Sequence, residues 1–338
     1  MTMKKIMYFA VILLLAACST ERPQKPSATG RAGEMLVVMN SGKFEGPAGE
    51  AVRQVFKAQV PMVMSFEPMF DLVQIQEESF VKMFETHRHI FMADISESHP
   101  KATIEISRNV WSHPQMVIRV KAPNDSIFRR VMEANAQTFT EHYIAIERER
   151  VINANNRMPN LEARNIIREK FGYEMAIPEG YLVAAQGDAF VWIRRTGTRD
   201  DLEMGVIIAT LPYTDPAIDF SYETIRMRRD SLTYQYIPGQ FEGSFMTTYP
   251  ELMPEFREVN FNGRYAVEAR SLWRVEKDFM GGPFINYTLV DEARNRLVII
   301  DGYVYAPKFD KRDYLRQLEA LIYSLKFPEG ENAVVKAE

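Results

Sequence analysis

Cysteine is almost missing from this chain: Cys18 is the only one in 338 residues. Disulfide staples are therefore excluded, and the fold has to be held by core burial alone. Histidine is scarce too. All five lie between His87 and His142, so the second half lacks the side chain that most readily exchanges protons near neutral pH. The strained Gly-x-Ser-x-Gly turn of serine hydrolases is absent, as are His-Glu-x-x-His and the Walker and dinucleotide phosphate loops. Gly30-x-x-Gly33 reads only as a flexible entry to the first strand. No cofactor is expected. There is no polybasic stretch, which argues against nucleic acid and anionic headgroups as partners. Long apolar runs are missing as well, apart from Ile6 to Leu15. Ten residues are too few for a bilayer core, which needs about 20.

What is present at the start fits a cleaved export signal over residues 1–17, with Lys4 and Lys5 ahead of the apolar run. The run closes on Leu15-Ala16-Ala17-Cys18, which resembles the lipobox of bacterial lipoproteins. That resemblance implies that Cys18 is acylated, with palmitate-type chains, and becomes the first residue of a membrane-anchored protein. A diacyl or triacyl cysteine passes the threshold of about two chains for stable anchoring, and its acylation removes cysteine catalysis. Residues 18–32 hold two prolines, one glycine and no apolar pattern, and read as a flexible tether. Ser19-Thr20-Glu21-Arg22-Pro23 carries one acid and one base rather than an acidic cluster. The expected location is therefore the periplasmic face of the outer membrane rather than the cell surface.

Without Lys4 and Lys5, 39 basic side chains face 45 acidic ones, and the rest has an ordinary globular composition long enough for two cores. The expected class is α+β, with domains over 33–160 and 161–328 and a disordered tail over 329–338. In the first domain, strands are predicted at 34–39, 70–75 and 89–95, with 103–106 and 115–120 paired around a turn. A helix is predicted over 46–60. One long helix follows an N-cap at Asn124 or Asp125, with Phe128, Met132, Phe139, Tyr143 and Ile146 on one face. Residues 147–150 alternate in charge and read as a solvated helix face. The asparagines of 153–160 end the pattern. A helix over 161–171 closes on Gly172.

In the second domain, Gly187-Asp188, Asn262-Gly263 and 292–295 sit between alternating runs and predict hairpins. Tyr265, Val267, Ala269, Ser271, Trp273 and Val275 share one strand face. Arg264, Glu268, Arg270 and Arg274 point the other way, towards solvent or a partner. Two helices, one with Tyr222, Ile225, Leu232 and Tyr236 and one with Tyr314, Leu318, Leu321 and Leu325, with Leu315 and Ile322 beside them, are expected to cover one face of an antiparallel sheet.

Two resemblances add to this. On residues 28–34, Glu67-Pro68-Met69-Phe70-Asp71-Leu72-Val73, His87-Arg88-His89-Ile90-Phe91, Asn109-Val110-Trp111-Ser112 and Pro114-Gln115, the whole mature chain resembles an uncharacterised family of Bacteroidota lipoproteins, domain of unknown function 4837. The resemblance implies the lipoprotein class and no activity. Ala176-Ile177-Pro178-Glu179-Gly180-Tyr181 and Ile322-Tyr323-Ser324-Leu325-Lys326-Phe327 resemble the opening and closing segments of the PsbP and Mog1 proteins. This implies an α/β/α sandwich of mostly non-catalytic type.

Chemistry-bearing candidates are few. His87 and His89 would share a strand face and make a metal pair, with His99, His113 or His142 as a third ligand; the competing reading places His87 in a turn and His89 in a core. Arg226, Arg228 and Arg229 form either an anion patch or a charged outer face. Trp192 and Trp273 read as core. Ser126 and Ser231 follow aspartate and precede an aliphatic residue, as in periplasmic O-glycosylation acceptors. The leading expectation is a non-enzymatic lipoprotein that binds or supports another envelope protein. A carrier of a small or lipidic ligand is the alternative. An envelope hydrolase comes third and would need a polar cleft with His89 or a carboxylate pair.

Overall fold

The computed structural model describes residues 25–197 and 202–328. The signal segment, Cys18, the first part of the tether and the tail lie outside the described residues. The rest of the predicted tether is not loose. Ala28 is buried and its amide donates to the His113 carbonyl, while Ser27 and Thr29 bridge to His113 and His87.

The first half is built on a five-stranded sheet of β1 (Glu34–Val38), β2 (Asp71–Ile75), β3 (His89–Ile95), β4 (Thr103–Arg108) and β5 (Met116–Ala122), in the order β2-β1-β3-β5-β4. β1, β2, β3 and β5 run parallel, and β4 pairs antiparallel to β5 at the edge. The apolar run of β1 fits a strand covered on both faces. One face carries α1 (Ser41–Glu45), α2 (Pro47–Phe56), α3 (Asp125–Ala134) and α4 (Ala136–Arg157), with Phe56, Phe91, Phe139 and Tyr143 in its core.

Three helix predictions are corrected. The helix expected over 46–60 is present as α2 but ends at Phe56, with Pro47 pre-set for its first turn, and the short α1 that precedes it at Gly46 was not expected. The single long helix is broken at Asn135, whose side-chain amide donates to the Val131 carbonyl (2.8 Å) and competes with the backbone ladder. α4 then runs on through Asn153 to Asn156, since asparagine's weak helix preference is overridden by context. Asn124 caps α3 by accepting from the Ile127 amide (3.0 Å), while Asp125 pairs with Lys43 (2.7 Å) instead.

The second half holds an eight-stranded antiparallel sheet: β6 (Leu182–Gly187), β7 (Phe190–Thr196), β8 (Glu203–Pro212), β9 (Met246–Thr248), β10 (Glu255–Phe261), β11 (Arg264–Val275), β12 (Gly281–Asp291) and β13 (Arg296–Tyr305). The order is β10-β11-β12-β13-β8-β7-β6, with β9 on β11. The three predicted hairpins are present, and Asn262 and Gly263 both take positive φ. α5 (Leu161–Phe171) starts on Asn160, which accepts from the Ala163 amide, and ends on left-handed Gly172 (φ 77°).

The protein is α+β, but the helices lie on both faces of this sheet. α5 and α7 (Arg312–Tyr323) pack on one face with Val298 and Ile300. The other face carries α6 (Tyr222–Tyr236), whose Leu232 and Tyr236 meet Trp192, Trp273 and Ile299. Trp192 and Trp273 are core residues, as expected. The face predicted to meet solvent or a partner is therefore covered: Glu268 is 1% exposed and Arg270 8%. Their charges neutralise each other under α7, which a strand pattern alone cannot reveal. Among the described residues no helix is long and apolar enough to cross a membrane.

Candidate functional site

α7 is amphipathic in an unusual sense. Leu315, Leu318 and Ile322 face the sheet, while Arg312, Arg316, Glu319 and Tyr323, spaced by four, three and four residues, share the other face. That polar face meets the first domain. Glu67, buried in the loop before β2, accepts from the backbone amides of Lys311 and Arg312 through Oε2 (2.7 Å each) and so caps α7 from the opposite half. Arg312 donates to the Pro68 carbonyl (3.0 Å) and to Asp71 (2.9 Å); Arg316 donates to the Met69 carbonyl and lies 4.6 Å over the Phe70 ring. Gly33 leaves room for both guanidiniums, because a Cβ there would lie 2.9 Å from Arg312 Nη2 and 3.1 Å from Arg316 Nη1.

Beneath this latch is a buried cluster. His89 Nε2 donates to Glu147 Oε1 (2.6 Å), and Arg88 Nη1 reaches both oxygens of the same carboxylate (3.0 and 3.1 Å). Burial alone would raise Glu147, but the His89 bond and the Arg88 charge outweigh it and hold the carboxyl at about 2. Burial pushes His89 below its ordinary value, against the pull of Glu147. Residues 147–150 thus correct the solvated-face reading: Glu147 is buried and Arg148 lies 3.8 Å over the Tyr323 ring.

A cleft of about 1390 Å³ opens beside the latch, walled by α2, α4, β10 and α7. This exceeds the roughly 300–1,000 Å³ of ordinary small-molecule sites. Glu268 lies behind it and accepts from Arg257 Nε (2.6 Å), Arg270 Nε (2.7 Å) and the Tyr287 hydroxyl (2.5 Å). Arg270 Nη2 continues to Glu319 (2.7 Å). Burial would raise Glu268, yet Arg270 and Arg257 bring it to about 2. Burial drives Tyr287 well above the usual phenol value. At neutral pH Glu268 therefore has no proton to donate and Tyr287 keeps its own. Glu268 and Glu319 are close enough to share Tyr287 and Arg270, but a glycosidase acid needs a raised pKa, and Glu268 has the reverse.

The sequence candidates are dispersed. His87 contacts the His89 carbonyl and Glu34 (3.0 Å each), His89 contacts Glu147, His99 contacts Asp94 (2.8 Å) and His142 lines the cleft. His87 and His89 do not converge. Among the described residues no three histidine, cysteine or carboxylate side chains group as metal ligands. Arg226, Arg228 and Arg229 form neither an anion patch nor an outer face. Arg229 is 2% exposed, clamped to Asp301 (2.8 Å) and 3.6 Å over Phe284; Arg228 pairs with Asp219 and Arg226 with Asp230. Ser126 and Ser231 are exposed on α3 and α6. Sequence reasoning missed the cleft. The one signal for it is the i, i+4, i+7, i+11 spacing of polar residues on α7.

Residues 160–324 match the family described as Domain of unknown function (DUF4837), and residues 28–156 match a second, Domain of unknown function (DUF8532). The 28–34, Glu67–Val73, His87–Phe91 and Asn109–Ser112 segments therefore fall within the second match, not the first. No curated protein matches the chain. Among solved structures, the Ran-binding protein Mog1p of Saccharomyces cerevisiae is 12% identical, with 46% of this chain and 91% of that chain covered and a TM-score of 0.31. A point mutant of the protein Mog1 is also 12% identical, with 46% and 89% covered and a TM-score of 0.30.

Proposed function

We propose that this chain, whose two halves match two families of unknown function, is a lipid-anchored binding protein of the bacterial envelope, with the cleft between its halves as the binding site. Cys18 carries the anchor, and the periplasmic face of the outer membrane is its place. The observation that supports binding is the cleft itself, walled by both halves, behind which Glu268 is committed to guanidiniums rather than poised for proton transfer. A docked protein partner would need a surface other than the charged face of β11, because that face is buried.

One preparation tests both parts. The chain is extracted from its own envelope, as wild type and as Cys18→Ala, and weighed intact under native conditions. The expected wild-type mass begins at Cys18, includes two or three acyl chains and carries a non-covalent adduct; the variant lacks the acyl mass. A chain that still begins at Met1 or has a bare Cys18 overturns the anchor, and wild type without an adduct overturns the binding role.

A further inference from the structure

Arg148 stands on α4 at the cleft. Its guanidinium is stacked 3.8 Å over the Tyr323 ring inside the cleft. Its Nε is buried without a hydrogen-bond partner, and no other nitrogen of the side chain is bonded among the described residues. The Nε is sealed within the protein, so Nη1 and Nη2, which lack a protein partner among the described residues, are the groups an incoming ligand meets. A guanidinium held flat on a ring is a pre-set fork for a carboxylate or phosphate. Beside it, Arg257 and Arg270 spend Nε and Nη2 on Glu268 and Glu319, and their Nη1 groups carry no protein hydrogen bond among the described residues. Val55, Ala58, Val60 and Ile144 give the cleft apolar lining, interspersed with polar Gln54 and Gln59. Glu133, Glu141 and Glu258 also line the cleft, and these carboxylates disfavour a second negative group.

We propose that the cleft binds an anionic amphiphile, with one carboxylate or phosphate head on Arg148 and an apolar body along α2 and α4. This rests on the cleft being the binding site and adds the class of ligand. Fatty acids and monoacyl phosphates share this chemistry. Two probes separate them.

The test uses the full chain as Cys18→Ala, so that its own acyl groups cannot occupy the cleft. Decanoate, decyl phosphate and decyltrimethylammonium are titrated separately by calorimetry. The expected result is 1:1 binding of at least one anionic probe, with the cation at least tenfold weaker; the tighter anion identifies the head. Arg148→Met should lower that affinity at least tenfold while the protein keeps a cooperative melting transition, although the variant gives up the guanidinium contact with the Tyr323 ring. Arg130→Met, exposed on α3 outside the cleft, should change nothing. Equal binding of cation and anions, or an unaffected Arg148→Met, overturns the anionic head while leaving the cleft as a binding site. Binding of none of the three overturns the amphiphile proposal, and the co-purified adduct then judges the binding role separately.

Discussion

At the residue scale the junction depends on charges that pair only when both halves are folded. Arg312 and Asp71 illustrate this, and beneath them, inside the first half, the Glu147 carboxylate serves His89 and Arg88 together. Replacing it with alanine strands a buried cation, so Glu147→Ala should cost about 3–5 kcal/mol in urea unfolding. The pH dependence follows from His89. Burial lowers its folded value below the ordinary 6.5, so the unfolded chain takes the proton first. Its contribution is complete above 6.5 and is lost as pH falls towards the folded value. Glu147 behaves likewise in a lower window, from about 4.5 down to about 2. The urea midpoint should therefore fall between pH 7.5 and 5.5, and His89→Gln should flatten that slope. An unchanged slope would contradict the assignment. Little of this is legible in the sequence. Alternating charge at 147–150 looks like a wet helix face, and its partners stand about 60 residues away along the chain in Arg88 and His89.

At the element scale α7 joins the two halves. Its apolar face sits on the second sheet and its polar face on the first domain. Leu318 is fully buried, and Leu318→Ala should cost about 2–5 kcal/mol through the cavity it leaves. Glu67→Ala removes an end cap supplied from the other half and should cost about 0.5–2 kcal/mol, measured the same way. Hairpins, caps and core stripes were readable because they are local: Asn262-Gly263 accepts positive φ, and Gly172 closes α5 wherever the rest of the fold goes. The break at Asn135 was not readable, and the coverage of both sheet faces was implied only by the resemblance to the sandwich of the PsbP and Mog1 proteins, not by the strand pattern. Both are decided by contacts distant in sequence, as when Glu268 and Arg270 neutralise each other beneath a helix some fifty residues downstream.

For the whole molecule, the segments that prompted the lipoprotein resemblance are largely the ones that build the junction. Gly33 admits the α7 arginines, Glu67 to Asp71 latch α7, and Arg88 and His89 hold Glu147. The cleft exists only because the halves are locked in this way, and its occupant should in turn stiffen the helices that wall it. Hydrogen–deuterium exchange tests this most directly, comparing protein taken from its own envelope with the same protein stripped in denaturant and refolded. Faster exchange in α4 and α7 of the stripped protein, with β12 and β13 unchanged, is the predicted result. Identical exchange in α4 and α7 would contradict a ligand in the cleft.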